Sequence, residues 1–152
     1  MPRTPAPTRP VIDTAEIAAR LRLSATRLAR RLRKESTGGL TPSQLSALNA
    51  VHLRGPLTLG ELADQERVAP PSITKVVAKL EADGLLAREV DPSDRRVSRV
   101  STTKAAVALI DENRRRRTAW LTTRIRELTP DEQLRLADAL DVLDHLNALD
   151  PE

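Results

Sequence analysis

Residues 58–101 read TLGELADQERVAPPSITKVVAKLEADGLLAREVDPSDRRVSRVS, and the order of signals along this stretch decides the fold. Thr58-Leu59-Gly60-Glu61 is a helix start. The threonine hydroxyl can accept from a free backbone N–H three residues on, while the glutamate bonds back to the threonine N–H. That predicts a short helix over about 58–66. Pro70-Pro71 opens a second helix at positions that need no N–H, and Gly84 stops it, so 68–83 is expected as helix. The period then changes. Leu85 to Val90 and Val97 to Ser101 are short and β-compatible, and Asp91-Pro92-Ser93-Asp94 is a turn with proline at its second position. Helix, tight connection, helix and hairpin in this order make a winged helix-turn-helix.

At about 100° per residue, Ile73, Val76, Val77 and Leu80 fall in one stripe roughly 100° wide. The opposite side of that helix carries Pro71, Ser72, Lys75, Ala78 and Lys79, with Thr74 on its flank and no acidic residue before Glu81. Such a face can enter a major groove and bring donors to base edges and phosphates. Taken alone, it is also what a solvated amphipathic helix shows. The hairpin adds Ser93-Asp94-Arg95-Arg96 at a narrow tip, where an arginine can insert into a minor groove and its strongly negative potential. Asp94 is expected to pin an arginine by a charge-assisted bond, and Arg99, further along the strand, to hold a phosphate.

Outward from this core, Thr41-Pro42-Ser43-Gln44 and Thr129-Pro130-Asp131-Glu132 repeat the threonine-plus-three start, predicting helices over about 42–53 and 130–148. An earlier helix over about 13–34 has Ile17, Leu21, Leu28 and Leu32 at helical spacing, with arginines on much of the remaining circumference. A long helix over about 103–128 has two apolar clusters, Val107, Leu109 and Ile110 and then Trp120, Leu121, Ile125 and Leu128, with Arg114 to Arg117 between them. The expected fold class is mainly α with a small β-hairpin wing (α+β), a winged helix-turn-helix plus a helical dimerisation region. Residues 1–12 are expected as a disordered arm and 13–152 as one domain. Within it, 40–102 is the DNA-binding lobe, and 13–36 and 103–148 are the dimerisation helices. Leu136, Leu140 and Leu143, with the apolar stripe of the first helix, are the interface candidates.

The chain has 152 residues, 39% of them hydrophobic, but Trp120 is its single aromatic, so the core must be built from Leu, Val, Ile and Ala. Cysteine is absent, which excludes disulfides, thiolate metal sites and thiol-based oxidation sensing. His52 and His145 are far apart in sequence and give no zinc signal, so neither metal nor cofactor is expected. An enzyme would need a nucleophile with a base, close metal ligands or paired carboxylates in a cleft, and the residues for these are missing. No apolar run is long enough to cross a bilayer, and Met1 to Pro10 is not followed by an apolar stretch, so a cytoplasmic, nucleoid-associated protein is expected. Net charge is +4, with nine Lys/Arg against three Asp/Glu in residues 1–40 and one against seven in residues 130–152. A basic body with an acidic C-terminal segment suits a polyanionic partner. The reading leaves open a winged-helix interaction adaptor and an architectural or activator protein.

Several stretches together resemble the MarR family of bacterial regulators. They are Leu40-Thr41-Pro42-Ser43-Gln44-Leu45, Leu62-Ala63, Ser72-Ile73-Thr74 with Leu80-Glu81-Ala82-Asp83-Gly84-Leu85, and Asp91-Pro92-Ser93-Asp94-Arg95-Arg96. The resemblance spans roughly 13–148 and implies a homodimer joined by its terminal helices, bound to palindromic double-stranded DNA. It also implies repression relieved by a small anionic or aromatic effector held between the DNA-binding lobe and the dimer helices. Carried over, Ser72, Thr74, Lys75 and Lys79 are groove and phosphate contacts, and Arg96 is the wing arginine steadied by Asp94. Ala106 stands where many relatives have glycine. For the effector, Trp120 and inward-facing arginines among Arg114 to Arg117, chiefly Arg114 and Arg117, are the candidates.

Overall fold

Each start signal in the sequence produces a helix in the computed structural model, which describes residues 13–36, 38–91, 93–94 and 96–149. The expected arm at 1–12 lies outside the described residues. In chain order the elements are α1 (Thr14–Lys34), α2 (Pro42–Arg54), β1 (Leu57–Thr58), α3 (Leu59–Gln65), α4 (Pro70–Ala82), β2 (Leu86–Val90), β3 (Ser98–Thr102), α5 (Lys104–Arg126) and α6 (Pro130–Ala148). All three threonine-led capping boxes form, at Thr41 with Gln44, Thr58 with Glu61 and Thr129 with Glu132. Thr103 also caps α5, its hydroxyl accepting from the Ala106 N–H at 3.2 Å. Backbone contacts divide the chain into two units, residues 1–34 and 35–152.

In the first unit, α1 contains no buried residue, and Ile17, Leu23 and Leu28 are exposed. The second unit holds the core. Leu48 and Val51 from α2, Leu62 from α3, Val77 and Leu80 from α4 and Val100 from β3 are fully buried. Every residue of the core cluster is Ala, Leu, Val or Ile, as the near-absence of aromatics requires. Removing one of these side chains, for instance Leu80→Ala, costs about 2–5 kcal/mol, so this cluster fixes how α4 is presented.

The helix-turn-helix and the wing share one sheet, ordered β1-β3-β2 and antiparallel throughout. β2 and β3 form the hairpin, with Arg88 opposite Val100 and Val90 opposite Ser98. β1 is an addition that periodicity did not reveal. Its two residues pair with Val100 and Arg99, and Thr58 then caps α3, so the wing is stitched to the start of the helix-turn-helix. The end of α4 is locked as firmly. Gly84 has φ +69°, its N–H donates to the Glu81 carbonyl at 2.9 Å, and the Leu85 N–H donates to Leu80 at 2.8 Å. This is the Schellman arrangement, completed by burial of both Leu80 and Leu85.

Candidate nucleic-acid interface

α4 presents one polar face with no acid before Glu81. Ser72, Thr74, Lys75, Ala78 and Lys79 are exposed, while Ile73, Val77 and Leu80 point into the core. The Thr74 hydroxyl donates to the Pro70 carbonyl at 2.9 Å, which leaves its lone pairs for an outside donor. Among the described residues Lys75 forms no ion pair, whereas Lys79 pairs with Asp83 one turn on. Glu81 is matched too, because Arg88 on β2 donates Nε and Nη2 to its two oxygens, each at 3.0 Å. Both carboxylates at the C-terminal end of α4 are thus neutralised, Glu81 by Arg88 and Asp83 by Lys79, and Lys75 is the cation of the exposed face without an acidic partner among the described residues.

The wing loop runs from Asp91 to Val97, closed by the Asp91 N–H donating to the Val97 carbonyl at 2.8 Å. Asp91 is nearly buried and is the hub of the loop. Its Oδ1 accepts from the Ser93 N–H at 2.8 Å, the Ser93 hydroxyl at 2.5 Å and the Asp94 N–H at 3.4 Å, and its Oδ2 accepts from Arg99 Nε at 2.6 Å. The hydroxyl and backbone donors of Ser93 and the Arg99 guanidinium hold the Asp91 carboxyl far below the usual carboxylate range. Arg99 Nη1 reaches Glu61 Oε2 at 3.2 Å and the Pro56 carbonyl at 3.5 Å. Glu61 is itself the capping glutamate of α3, accepting from the Thr58 N–H at 2.7 Å.

The sequence-predicted residues fall into three groups. Ser72, Thr74, Lys75 and Lys79 share the exposed side of α4, and Asp94 and Arg96 are exposed on the wing. Arg95 lies outside the described residues. The expected pinning of an arginine by Asp94 takes a different form at Arg96. Asp94 Oδ1 accepts from the backbone N–H of Arg96 at 2.9 Å, and no ion pair joins these two side chains among the described residues. The turn geometry is fixed while the Arg96 guanidinium stays available. Arg99, expected to face a phosphate, has its guanidinium engaged by Asp91 and Glu61 instead. The sequence marks Asp91 only as a turn residue and Glu61 only as a cap. Their joint role follows from a tertiary contact, with Arg99 eight positions from one and 38 from the other.

The effector candidates do not all converge. A cavity of about 350 Å³ lies between α2 and α5, and Arg114 and Arg117 line it together with Asn49, His52, Asn113 and Leu121. Arg117 donates Nε and Nη2 to the Ser36 hydroxyl at 2.9 and 2.6 Å. Trp120 does not line this cavity. Its ring lies under the Arg124 guanidinium, 5.7 Å from the centroid, a contact that their i,i+4 spacing on α5 allows. Among the described residues no group of His, Asp or Glu is placed to hold a metal ion, and no helix is long and apolar enough to cross a membrane.

A helix-turn-helix with a cationic exposed second helix, backed by a three-stranded sheet with an arginine-bearing hairpin, defines the class of winged helix-turn-helix DNA-binding regulators. Residues 40–98 match the sequence model of the MarR family. An uncharacterized HTH-type transcriptional regulator of Mycobacterium leprae is 39% identical over 130 residues, 85% of this chain and 91% of that protein. Among solved structures, a transcriptional regulator of Pseudomonas aeruginosa is 34% identical, with a TM-score of 0.79 over 90% of this chain and 97% of that one. A MarR family protein of Bacillus stearothermophilus is 28% identical, with a TM-score of 0.72 over 88% and 94%. The chain belongs to the MarR family of DNA-binding transcriptional regulators, and no enzyme is among these relatives.

Proposed function

We propose that this protein is a homodimeric repressor that binds a palindromic operator, with α4 in the major groove and the 91–97 loop in the flanking minor groove. The observation that carries the reading is the exposed Ser72–Thr74–Lys75–Lys79 face of α4, whose nearby acids Glu81 and Asp83 are already paired with Arg88 and Lys79. Lys75 and Lys79 serve phosphates, Ser72 reaches a base edge or a phosphate, Thr74 accepts from a base edge, and Arg96 enters the minor groove, with Arg95, next to it in sequence, as a further candidate contact. Two copies set two such helices about one DNA turn apart, which gives the operator its two-fold symmetry.

Relief of repression is assigned to a small anionic or aromatic compound in the cavity lined by Arg114 and Arg117. Its volume of about 350 Å³ suits a single-ring molecule. Two guanidinium groups at the wall supply the counter-charge for a carboxylate or phenolate.

Selection of bound fragments from genomic DNA tests the core of this proposal and returns the operator. On the selected duplex, affinity should fall steeply with salt, because each lysine–phosphate contact releases counterions. Lys75→Ala should lower affinity and reduce the slope of log K against log salt by about one. A slope equal to that of the unaltered protein would remove Lys75 from the phosphate contacts. An affinity insensitive to salt would favour an interaction adaptor.

A further inference from the structure

A continuous chain of hydrogen bonds runs from the first turn of α3 to the backbone of Arg96. It starts at Glu61, whose Oε2 accepts from the Thr58 N–H and from Arg99 Nη1. It passes through Arg99 to Asp91 Oδ2 at 2.6 Å, crosses the Asp91 carboxylate to the amides of Ser93 and Asp94, and ends where Asp94 Oδ1 accepts from the Arg96 N–H. Arg99 sits on the central strand, opposite Thr58 of β1 on one side and Glu89 of β2 on the other, so its backbone is fixed by two strand pairings. A phosphate approaching Arg99 would meet the carboxylates of Asp91 and Glu61, which already offset the guanidinium charge. Asp91 is 9% exposed, so an unpaired carboxylate here would be left without solvent. From this geometry we infer that Arg99 and Asp91 are positioning residues for DNA binding: they hold the wing loop in register with the helix-turn-helix so that Arg96 meets the groove, and neither touches DNA.

The inference rests on the proposed role of the wing and separates from it experimentally. A phosphate-binding arginine and a positioning arginine respond in opposite ways to the same changes. Lysine at position 99 keeps a cation for phosphate but has one nitrogen where Arg99 uses two, on Asp91 and on Glu61. Asparagine at position 91 frees the guanidinium. If Arg99 served phosphate, that release would strengthen binding. If it positions the loop, the loss of the carboxylate weakens binding.

The test measures dissociation constants on a duplex enriched by the wild-type protein from a random-sequence pool, across a range of salt. The proteins are wild type, Arg96→Ala, Asp91→Asn, Arg99→Lys and the two doubles that combine Arg96→Ala with each of the others. Circular dichroism and thermal unfolding are recorded for each. Arg99→Lys and Asp91→Asn are each expected to weaken binding about tenfold with a salt slope no lower than that of Arg96→Ala, and to cost little more once Arg96 is gone, because coupled residues are not additive. Tighter binding by Asp91→Asn, a wild-type constant for Arg99→Lys, or full additivity with Arg96→Ala would each overturn the assignment. An Asp91→Asn chain that fails to fold would also overturn it, since the network would then hold the domain and not the wing. If Arg96→Ala alone binds like wild type, the wing reading falls first and the positioning role with it.

Discussion

At the scale of single residues, the helix starts show how differently two neighbouring caps can act. Thr58 makes both bonds of a capping box, with its hydroxyl accepting from the Glu61 N–H at 3.1 Å and its own N–H donating to Glu61. Ala69, at the start of α4, makes no side-chain cap. The reason lies in the two residues that follow. Pro70 and Pro71 have no N–H to satisfy, and the Ser72 N–H already donates to the Ala69 carbonyl at 2.9 Å. α4 therefore begins without an orphan donor that a serine could serve. Thr58→Ala should lower the unfolding free energy by about 1 kcal/mol, while Ala69→Ser should change it by only a few tenths. Urea denaturation of the two variants checks the contrast. A gain near 1 kcal/mol for Ala69→Ser would mean that the first turn of α4 carries an unmet donor after all.

Elements that depend on neighbours three or four positions away are legible in the sequence, and those that depend on distant pairing are not. The capping boxes at Thr41, Thr58 and Thr129 and the Gly84 stop are local chemistry, so α2, α3, α4 and α6 fall within a residue or two of their expected bounds. β1 was invisible because two residues have no period, and its existence depends on β3, some forty positions later. The same distance hid the Asp91–Arg99–Glu61 network, although each residue type was noticed in its own segment. The network has a pH signature of its own. The Asp91 carboxyl is held far below its ordinary value by the Ser93 donors and Arg99. A depressed carboxyl contributes stability that is present above its unfolded value near pH 4 and is lost only as pH falls through the lower folded value. Amide-exchange protection at Ser93 and Asp94, corrected for intrinsic rate, should therefore stay constant from about pH 8 to about pH 5 and decline only in stronger acid. A decline centred near pH 6 would show that the loop is held by something other than this carboxylate.

For the molecule as a whole, the surface left uncovered says more than the core. α6 buries none of its residues, and Leu140, Val142, Leu146 and Leu149 are all exposed, Val142 by 67%. At about 100° per residue these four fall with Leu136, Ala139 and Leu143 in an arc of roughly 180°, while Asp138, Asp141 and Asp144 lie on the other side. The sequence pattern points to Leu136, Leu140 and Leu143. Leu136 and Leu143 are half-buried within the chain, and the exposed part of the stripe extends toward Val142, Leu146 and Leu149. An apolar arc of that width on a helix end is expected to be covered by a partner, and a second copy of the chain is the partner that the proposed two-fold operator calls for. Leu146 lies well inside the arc and is 49% exposed, so Leu146→Glu should place a carboxylate in the proposed interface without disturbing the winged helix-turn-helix. In sedimentation equilibrium the variant should run as a monomer at micromolar concentration with its helical content unchanged. Its operator affinity should drop about a hundredfold or more, because each half-site is then bound without the linkage that makes the second event intramolecular. A variant that remains dimeric and binds as tightly as the parent would place the subunit contact elsewhere and leave this arc without a partner.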